Sequence, residues 1–516
     1  MNTELLKQVW RLALPVMLTN LLQSLVDVVD VYMVGRLGPI AIAAVGMSTT
    51  IRMLVLVMLL AVSAGAMPLV AQARGGRDPK RMSFVTRQAI SSGVLLSIVL
   101  LLSGLILAEP LLSLINQGGD EEAVVMGTLY LQLLFLGTPF MVLNMVCNRL
   151  MQAAGDTVTP LILTIAINVI NILLNYLFIF GVGPIPTMGL TGAALGTVIA
   201  RGLGAVAVLI LFYSGKNIIK ILPGTYRPHW QTFSDIFTIG LPSGLQGVFR
   251  NGSRLLVFGL VTSTEIATFG VAALSIGMQV ESLAFMPVLG INVAATSLVG
   301  NAIGSWQTEE ARQRGSMAIG LGVVVMIVLA TPIVIFAPAI IRLFDPSAHP
   351  TVMSAGTAYM RINTVLLPFV GIAMVANGAL RGAGDTMPGM VSTLLTKGAI
   401  TVILAYFFAF PLGMGSIGIW YGLAIGSVLD GFLMLGRWLT NVWLKVALHK
   451  TELYRRHLRH LNDYMQQEFL REVRTPLMAI PTATETVLKN EVVYTKNDSN
   501  HKVTVLFGRD GYWVEH

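Results

Sequence analysis

The sequence predicts an all-α membrane protein, with twelve transmembrane helices in two six-helix halves related by an internal repeat. Three observations lead there: an apolar composition, regularly recurring apolar runs, and one stretch of sequence written twice. Hydrophobic residues make up 54% of the 516 residues and charged residues only 12%, with a mean hydropathy of +0.74, whereas a soluble domain carries roughly 25% charged residues. The repeat is explicit. Pro139-Phe140, Asn148 and Ala154-Gly155-Asp156-Thr157 recur as Pro368-Phe369, Asn377 and Ala383-Gly384-Asp385-Thr386, each 229 residues further on. Upstream, Leu14-Pro15 is echoed by Leu241-Pro242 at an offset of 227. Paired halves of apolar sequence are a transporter's organisation.

The apolar runs fall at 10–35, 40–72, 88–108, 126–150, 158–181 and 188–213 in the first half, and at 236–261, 267–302, 315–341, 353–380, 387–411 and 415–444 in the second. Each is long enough to cross a hydrocarbon layer of about 30 Å as a helix. The second and eighth exceed one straight crossing, so part of each continues as loop or projects beyond the hydrocarbon. The boundaries define an N-terminal lobe at 1–213, a linker at 214–235, a C-terminal lobe at 236–446 and a tail at 447–516.

Loop charges give the orientation. Lys7, Arg11, Arg74, Arg77, Lys80, Arg81, Arg87, Lys216, Lys220, Arg227, Arg312 and Arg314 fall on one side, and Asp120-Glu121-Glu122 on the other, with Arg36 and Arg342 as exceptions. The positive-inside rule then places both termini in the cytoplasm of a bacterial-type inner-membrane protein. This bias accounts for most of the formal charge of +8, and no nucleic-acid partner is needed. The single cysteine, Cys147, excludes an intrachain disulfide.

Charges inside the spans are the candidates for function: Asp27, Asp30, Arg52, Arg201, Arg250, Arg254, Glu281, Lys397 and Asp430. Each costs at least about 2.5 to 3.5 kcal/mol at mid-bilayer on insertion scales, so each faces protein or water. Asp27 and Asp30 share one helix face with Gln23 a turn behind. An intramembrane carboxylate is a site for a proton or a cation, and two so close favour holding a shared proton. The plainer reading pairs them with Arg250 or Arg254 to join helices.

Asn168, Asn171 and Asn175 form one polar stripe on the fifth span, and Asn144 and Asn148 another on the fourth. Amides supply oxygens to a cation and donors to a carboxylate without adding charge. Singly, each is explained by packing between helices; as a set beside Asp30 they imply a polar cavity.

Leu14-Pro15, Gln23, Val29-Asp30, Met33-Val34-Gly35 and Ala43-Ala44-Val45-Gly46, together with Glu281 to Pro287 and both Gly-Asp-Thr loops, resemble the multidrug and toxic compound extrusion (MATE) family over roughly residues 8 to 446. The resemblance is nearer the DinF-like branch than the NorM-like one. It implies a cation-coupled exporter whose two lobes form a V around a central cavity with alternating access. It also implies that Asp30 takes up the coupling ion, with Gln23, Asn148, Asn171, Asn175 and Thr197 as neighbours, and that the first helix bends at Pro15 when Asp30 is protonated.

Two departures matter. Arg250 stands where NorM-like and eukaryotic members carry a functional Glu. Asn175 stands where archaeal relatives carry a second Asp, which weakens a sodium site and favours protons, although Asp27 restores one charge. Glu281 resembles a recurring acidic position, and either binds cationic substrate or pairs with Arg250 or Arg254; Lys397 and Asp430 are expected to pair with each other.

Proton-coupled antiport of organic cations or drugs by a monomer in the lipid bilayer is therefore the expected function. Sodium coupling and a flippase for a lipid-linked precursor are the alternatives. An enzyme is not expected, since His-Glu-x-x-His and Gly-x-Ser-x-Gly are absent. No cofactor is expected beyond the transported H+ or Na+. In the tail, Tyr454, Leu458, Leu461, Met465 and Phe469 recur opposite Arg455, Arg456 and Arg459 as an amphipathic helix, followed by strand-like segments from Glu491 to Val514. His457 and His460 have helical metal spacing but no neighbouring acid or Cys, so no metal site is expected.

Overall fold

The computed structural model describes residues 3–116, 121–224 and 226–448, and the strand residues 483–488, 491–498, 501–508 and 511–515; side chains at 54–58 and within the strands lie outside the description. The first half is built from α1 (Thr3–Gly35), α2 (Pro39–Gly75), α3 (Pro79–Ile115), α4 (Glu121–Leu136), α5 (Thr138–Ala153), α6 (Val158–Phe180) and α7 (Gly189–Tyr213). The second half contains α8 (Trp230–Thr262), α9 (Ala267–Gly304), α10 (Thr308–Ile335), α11 (Ala337–Phe344), α12 (Pro350–Thr364) and α13 (Leu367–Gly382). It continues with α14 (Met387–Thr393), a π-helical stretch at Leu394–Ile400, α15 (Thr401–Ala409) and α16 (Gly415–Leu439).

Among the described residues, eight helices are long and apolar enough to cross a membrane, and ten if each bent pair counts as one. The protein is therefore a multi-pass membrane protein. The bent pairs are α4 with α5 and α12 with α13, each turning by 49°. Both breaks precede a proline of the repeat, Pro139 or Pro368, near the start of the following helix. Proline lacks the N–H that would continue the ladder, and its ring clashes with the preceding turn.

The two long segments resolve in favour of projection over loop. α2 has 37 residues and α9 has 38, which at 1.5 Å per residue is nearly twice the hydrocarbon thickness. α1 runs through Pro15 as a single helix. The Thr19 hydroxyl donates to the Pro15 carbonyl at 2.8 Å.

The halves join through small residues. Ile236 O occupies the space a Cβ on Gly65 would need, and Ala61 O does so at Gly240, so α2 and α8 meet backbone to backbone. Nearby, Gln72 Nε2 donates to Gly382 O at 3.3 Å and Ser297 Oγ to Ala153 O at 2.9 Å. A buried apolar cluster seals this seam, with Val9 and Ala13 of α1 against Val288, Ile291 and Ala295 of α9. Trp438 and Trp443 stack at 4.4 Å within the same cluster.

The Gly-Asp-Thr loops fold alike. Gly155 and Gly384 have φ of +87° and +82°, and Asp156 N and Asp385 N return to Met151 O and Leu380 O at 2.9 Å in both. Their carboxylates differ: Asp156 accepts from Thr159 N at 3.0 Å and Asn217 Nδ2 at 2.9 Å, whereas Asp385 accepts from Arg437 at 2.7 and 3.0 Å.

The tail is a separate unit. Its strands, β1 (Ala483–Leu488), β2 (Glu491–Asp498), β3 (His501–Gly508) and β4 (Gly511–Glu515), form one antiparallel sheet in sequence order. The register pairs Val492 with Phe507 and Phe507 with Tyr512. β1 was not anticipated by the sequence pattern. The expected amphipathic helix and the His457/His460 pair lie outside the described residues.

Candidate functional site

The face α6 buries is polar where a soluble helix would bury its apolar one. Its buried residues are Pro160, Thr164, Asn168, Asn171, Asn175 and Ile179, while Ile162, Ile165, Val169 and Leu173 are exposed. Lipid accepts the aliphatic face at no cost, and the amides need partners inside the protein. Two of them find those partners around Asp30.

Asn175 Nδ2 donates to Asp30 Oδ1 at 2.9 Å. Asn171 Nδ2 donates to Thr197 Oγ1 at 3.1 Å and to Asn175 Oδ1 at 3.4 Å. Thr197 in turn donates to Ala193 O at 2.9 Å. Three helices, α1, α6 and α7, thus contribute to one chain of hydrogen bonds that ends on a single carboxylate. Gly196 makes this possible: Asn175 Oδ1 fills the space of its missing Cβ, so α7 lies directly against the amide.

Charges close around the cluster. Asp27, Arg201 and Arg52 act on Asp30, and Tyr130 lies among the same groups. Asp27 is exposed and Asp30 half-buried. Among the described residues neither carboxylate forms an ion pair, and the charges acting on Asp30 all come from its own half. The alternative that Arg250 or Arg254 staples Asp27 or Asp30 is therefore not what the structure contains.

The other predicted residues are placed differently. Asn144 is spent on packing, donating to Phe140 O at 2.9 Å and Arg201 O at 2.7 Å. Asn148 Oδ1 and Asn168 Nδ2 are buried without a hydrogen-bond partner, and Gln23 is exposed on α1. These four do not join the Asp30 chain. Arg201 and Arg52, candidates from sequence that were not placed beside Asp30 there, belong to its surroundings, as does Tyr130, which the sequence reading missed. Their being polar or charged within an apolar run was the available signal.

In the second half, Glu281 faces the Tyr359 hydroxyl, with Lys397 and Arg254 nearby. It makes no ion pair with Arg250 or Arg254. Arg254 Nε instead meets Met278 Sδ at 3.1 Å. The expected Lys397 to Asp430 pair is also replaced. Lys397 Nζ donates to Ser427 Oγ at 2.6 Å and Ser392 Oγ to Asp430 Oδ1 at 2.5 Å, because a serine lies within closer reach of each. Lys397 sits in the π-helical stretch, a distortion frequent at functional sites. An apolar groove of about 1020 Å³ lies between α1 and α10, lined by Trp10, Met17, Leu321 and Val324; its lining includes none of the Asp30 cluster.

An α6 with a polar interior and an apolar exterior, meeting α1 and α7 around a carboxylate held by neutral amides, is an arrangement suited to a membrane transporter. The chain belongs to the MatE family, whose model matches residues 15–177 and again 242–407. The two matches begin at Pro15 and Pro242, the prolines of the repeat. A probable multidrug resistance protein NorM of Thermotoga maritima is 30% identical over 454 residues, covering 86% of this chain and 94% of that one. An uncharacterized transporter, YisQ of Bacillus subtilis, is 24% identical over 422 residues, covering 81% and 91%. Among solved structures, MATE in the bent conformation superposes with a TM-score of 0.79 at 22% identity, covering 86% of this chain and 97% of that one. The NorM names of the relatives do not support the expected nearness to the DinF-like branch.

Proposed function

We propose that this protein is a proton-coupled antiporter that exports amphipathic organic cations across a bacterial inner membrane. The observation that carries the reading is the Asp30–Asn175 hydrogen bond at the end of a chain of neutral donors. A carboxylate held by an amide, without a salt-bridge partner, gains and loses a proton without breaking an ion pair. Arg201 and Arg52 balance Asp27 and Asp30 in charge, which leaves little excess field to draw a sodium ion.

Twelve crossings follow if α2 and α8 join the ten spans counted by length and hydropathy. The lobes then comprise residues 1–213 and 236–446, with both termini cytoplasmic. Alternating access fits a seam whose tight contacts, Gly65 with Ile236 and Gly240 with Ala61, lie toward the cytoplasmic end in that orientation. Protonation drives the cycle only if Asp30 binds a proton with different affinity in the two states.

Transport in proteoliposomes under separately imposed pH and sodium gradients tests the reading. Efflux is expected to follow the pH gradient and to vanish in Asp30→Asn. Efflux that tracks sodium at fixed pH would move the assignment to the sodium reading, with Asn171, Asn175 and Thr197 as oxygen donors.

A further inference from the structure

α3 and α10 begin alike in the two halves. Arg77 and Trp306, 229 residues apart, both have positive φ, +52° and +63°, and each is followed two residues later by the first residue of a helix, Pro79 of α3 or Thr308 of α10. The register of the repeat therefore carries into these helices. It pairs Ser83, Arg87, Gln88 and Ser91 with Arg312, Ser316, Met317 and Gly320.

On α3 those residues hold the linker that leads from α7 to α8. Leu222 N donates to Ser83 Oγ at 2.8 Å and Arg87 Nη1 to Leu222 O at 2.6 Å, while Ser91 Oγ donates to Tyr226 O at 2.7 Å. Gln88 Nε2 donates to Arg227 O at 3.0 Å, and His229 N returns to Gln88 Oε1 at 2.8 Å. Each of these bonds ties linker backbone to one face of α3.

Among the described residues the matching face of α10 has no such cover. It forms one wall of the groove of about 1020 Å³ whose facing wall is Leu5, Leu6, Trp10 and Met17 of α1. Met317 and Gly320 stand where Gln88 and Ser91 would bind a backbone, so the wall offers aliphatic surface in place of hydrogen bonds. Its polar side chains are already engaged: Gln313 Nε2 donates to Glu309 Oε1 at 3.3 Å, and Ser316 Oγ accepts from the Trp438 indole at 3.0 Å. An extended peptide laid there would leave N–H and C=O groups without partners at membrane depth. A hydrocarbon chain has no such groups to satisfy.

Length favours the same occupant. The α10 wall runs from Gln313 to Leu329, about 24 Å at 1.5 Å per residue, which suits one leaflet of about 20 Å with its interface. Trp10 stands near the end where both helices begin, the interfacial level that indole favours.

We infer that the groove between α1 and α10 is a resident site for one acyl chain of a phospholipid from the leaflet in which α1 begins. The chain lies along Trp10 and Met17, on either side of Pro15, so the bilayer props the helix that carries Asp30. Such a site is independent of which ion or substrate is moved.

Photo-crosslinking tests it on the full chain in proteoliposomes containing a small fraction of phosphatidylglycerol with a diazirine in one acyl chain. Peptides spanning 5–17 and 313–329 should carry about fivefold more label than the α6 peptide around Ile162 and Val169, whose exposed aliphatic face is the reference for ordinary boundary lipid; about 1 kcal/mol of added packing contact gives that ratio. A Cβ on Gly320 would meet nothing within 4 Å, so Gly320→Trp fills the groove without displacing a neighbour and should bring the label down to the α6 level. Gly320→Ala, which leaves the space open, should keep the excess. Val324→Phe, on the same exposed wall, is a second blocking variant should the tryptophan variant accumulate poorly. Label at the α6 level in the wild type, or an excess that survives both blocking variants, would overturn the proposal.

Discussion

Asn175 donates to Asp30 at 2.9 Å, whereas in the second half Val257, 227 residues after Asp30, and Ala405, which matches Asn175 by its packing, lie in one apolar cluster. Burial survives the duplication at both positions while the chemistry does not. Even the close packing persists, with Gly422 against Ala405 as Gly196 is against Asn175.

Asn175→Ala removes the donor that orients Asp30. A hydrogen bond to a charged group contributes about 1.5 to 3 kcal/mol. Efflux driven by a pH gradient should fall by about tenfold or more, with protein abundance in the membrane unchanged. Initial rates in proteoliposomes check this; wild-type rates would detach Asn175 from coupling.

Asp385 and Asp156 occupy matching loops but should differ in what their loss costs. Asp385 is buried against Arg437, and neutralising one partner of such a pair costs about 3 to 5 kcal/mol when both are fully buried, less here because Arg437 is a quarter exposed. Among the described residues Asp156 meets an amide and a backbone N–H. The melting temperature in detergent should therefore drop more for Asp385→Asn than for Asp156→Asn.

Gly65→Ala and Gly240→Ala place a methyl where a carbonyl oxygen of the facing helix already stands. The expected result is separation of α2 from α8 at that level. Spin labels on the two helices should report a longer mean distance in either variant, and the double variant should show no further gain once the contact is lost.

His229 lies in the loop ahead of α8, outside the spans. Its Nδ1 accepts the Thr232 N–H at 3.4 Å and its ring packs edge-on to Phe84. Burial lowers its pKa below the ordinary 6.5, with Asp235 opposing in part. The unfolded chain thus binds the proton more readily, so stability is fully present above about pH 6.5 and declines as pH falls through the folded-state value. Melting between pH 7.5 and 5 should show this decline, and His229→Asn, which retains a capping side chain, should flatten it.

Much of the scaffold was legible because lipid imposes a simple code: every apolar run became helix, and the Asp30 and Asn stripe stood out against it. The 49° breaks were not, because α4 with α5 and α12 with α13 are continuous in hydropathy and only Pro139 and Pro368 mark the bend. The π-helical stretch around Lys397 depends on a shifted hydrogen-bond ladder that composition does not report. Charge partners were the weakest point. Ser427 and Ser392 displaced the Lys397 to Asp430 pair, and Tyr359 took the place of an arginine beside Glu281, because an ordinary hydroxyl within reach wins over a more distant opposite charge.

The equal bends also date the molecule against itself. A feature present in both copies, such as the 49° turn before Pro139 and Pro368, belongs to the ancestor that was doubled. The carboxylate and its amides occur in one copy only, so they arose, or were discarded from the sister copy, after the doubling. Architecture is the older inheritance here, and the division of labour between the halves is the younger one.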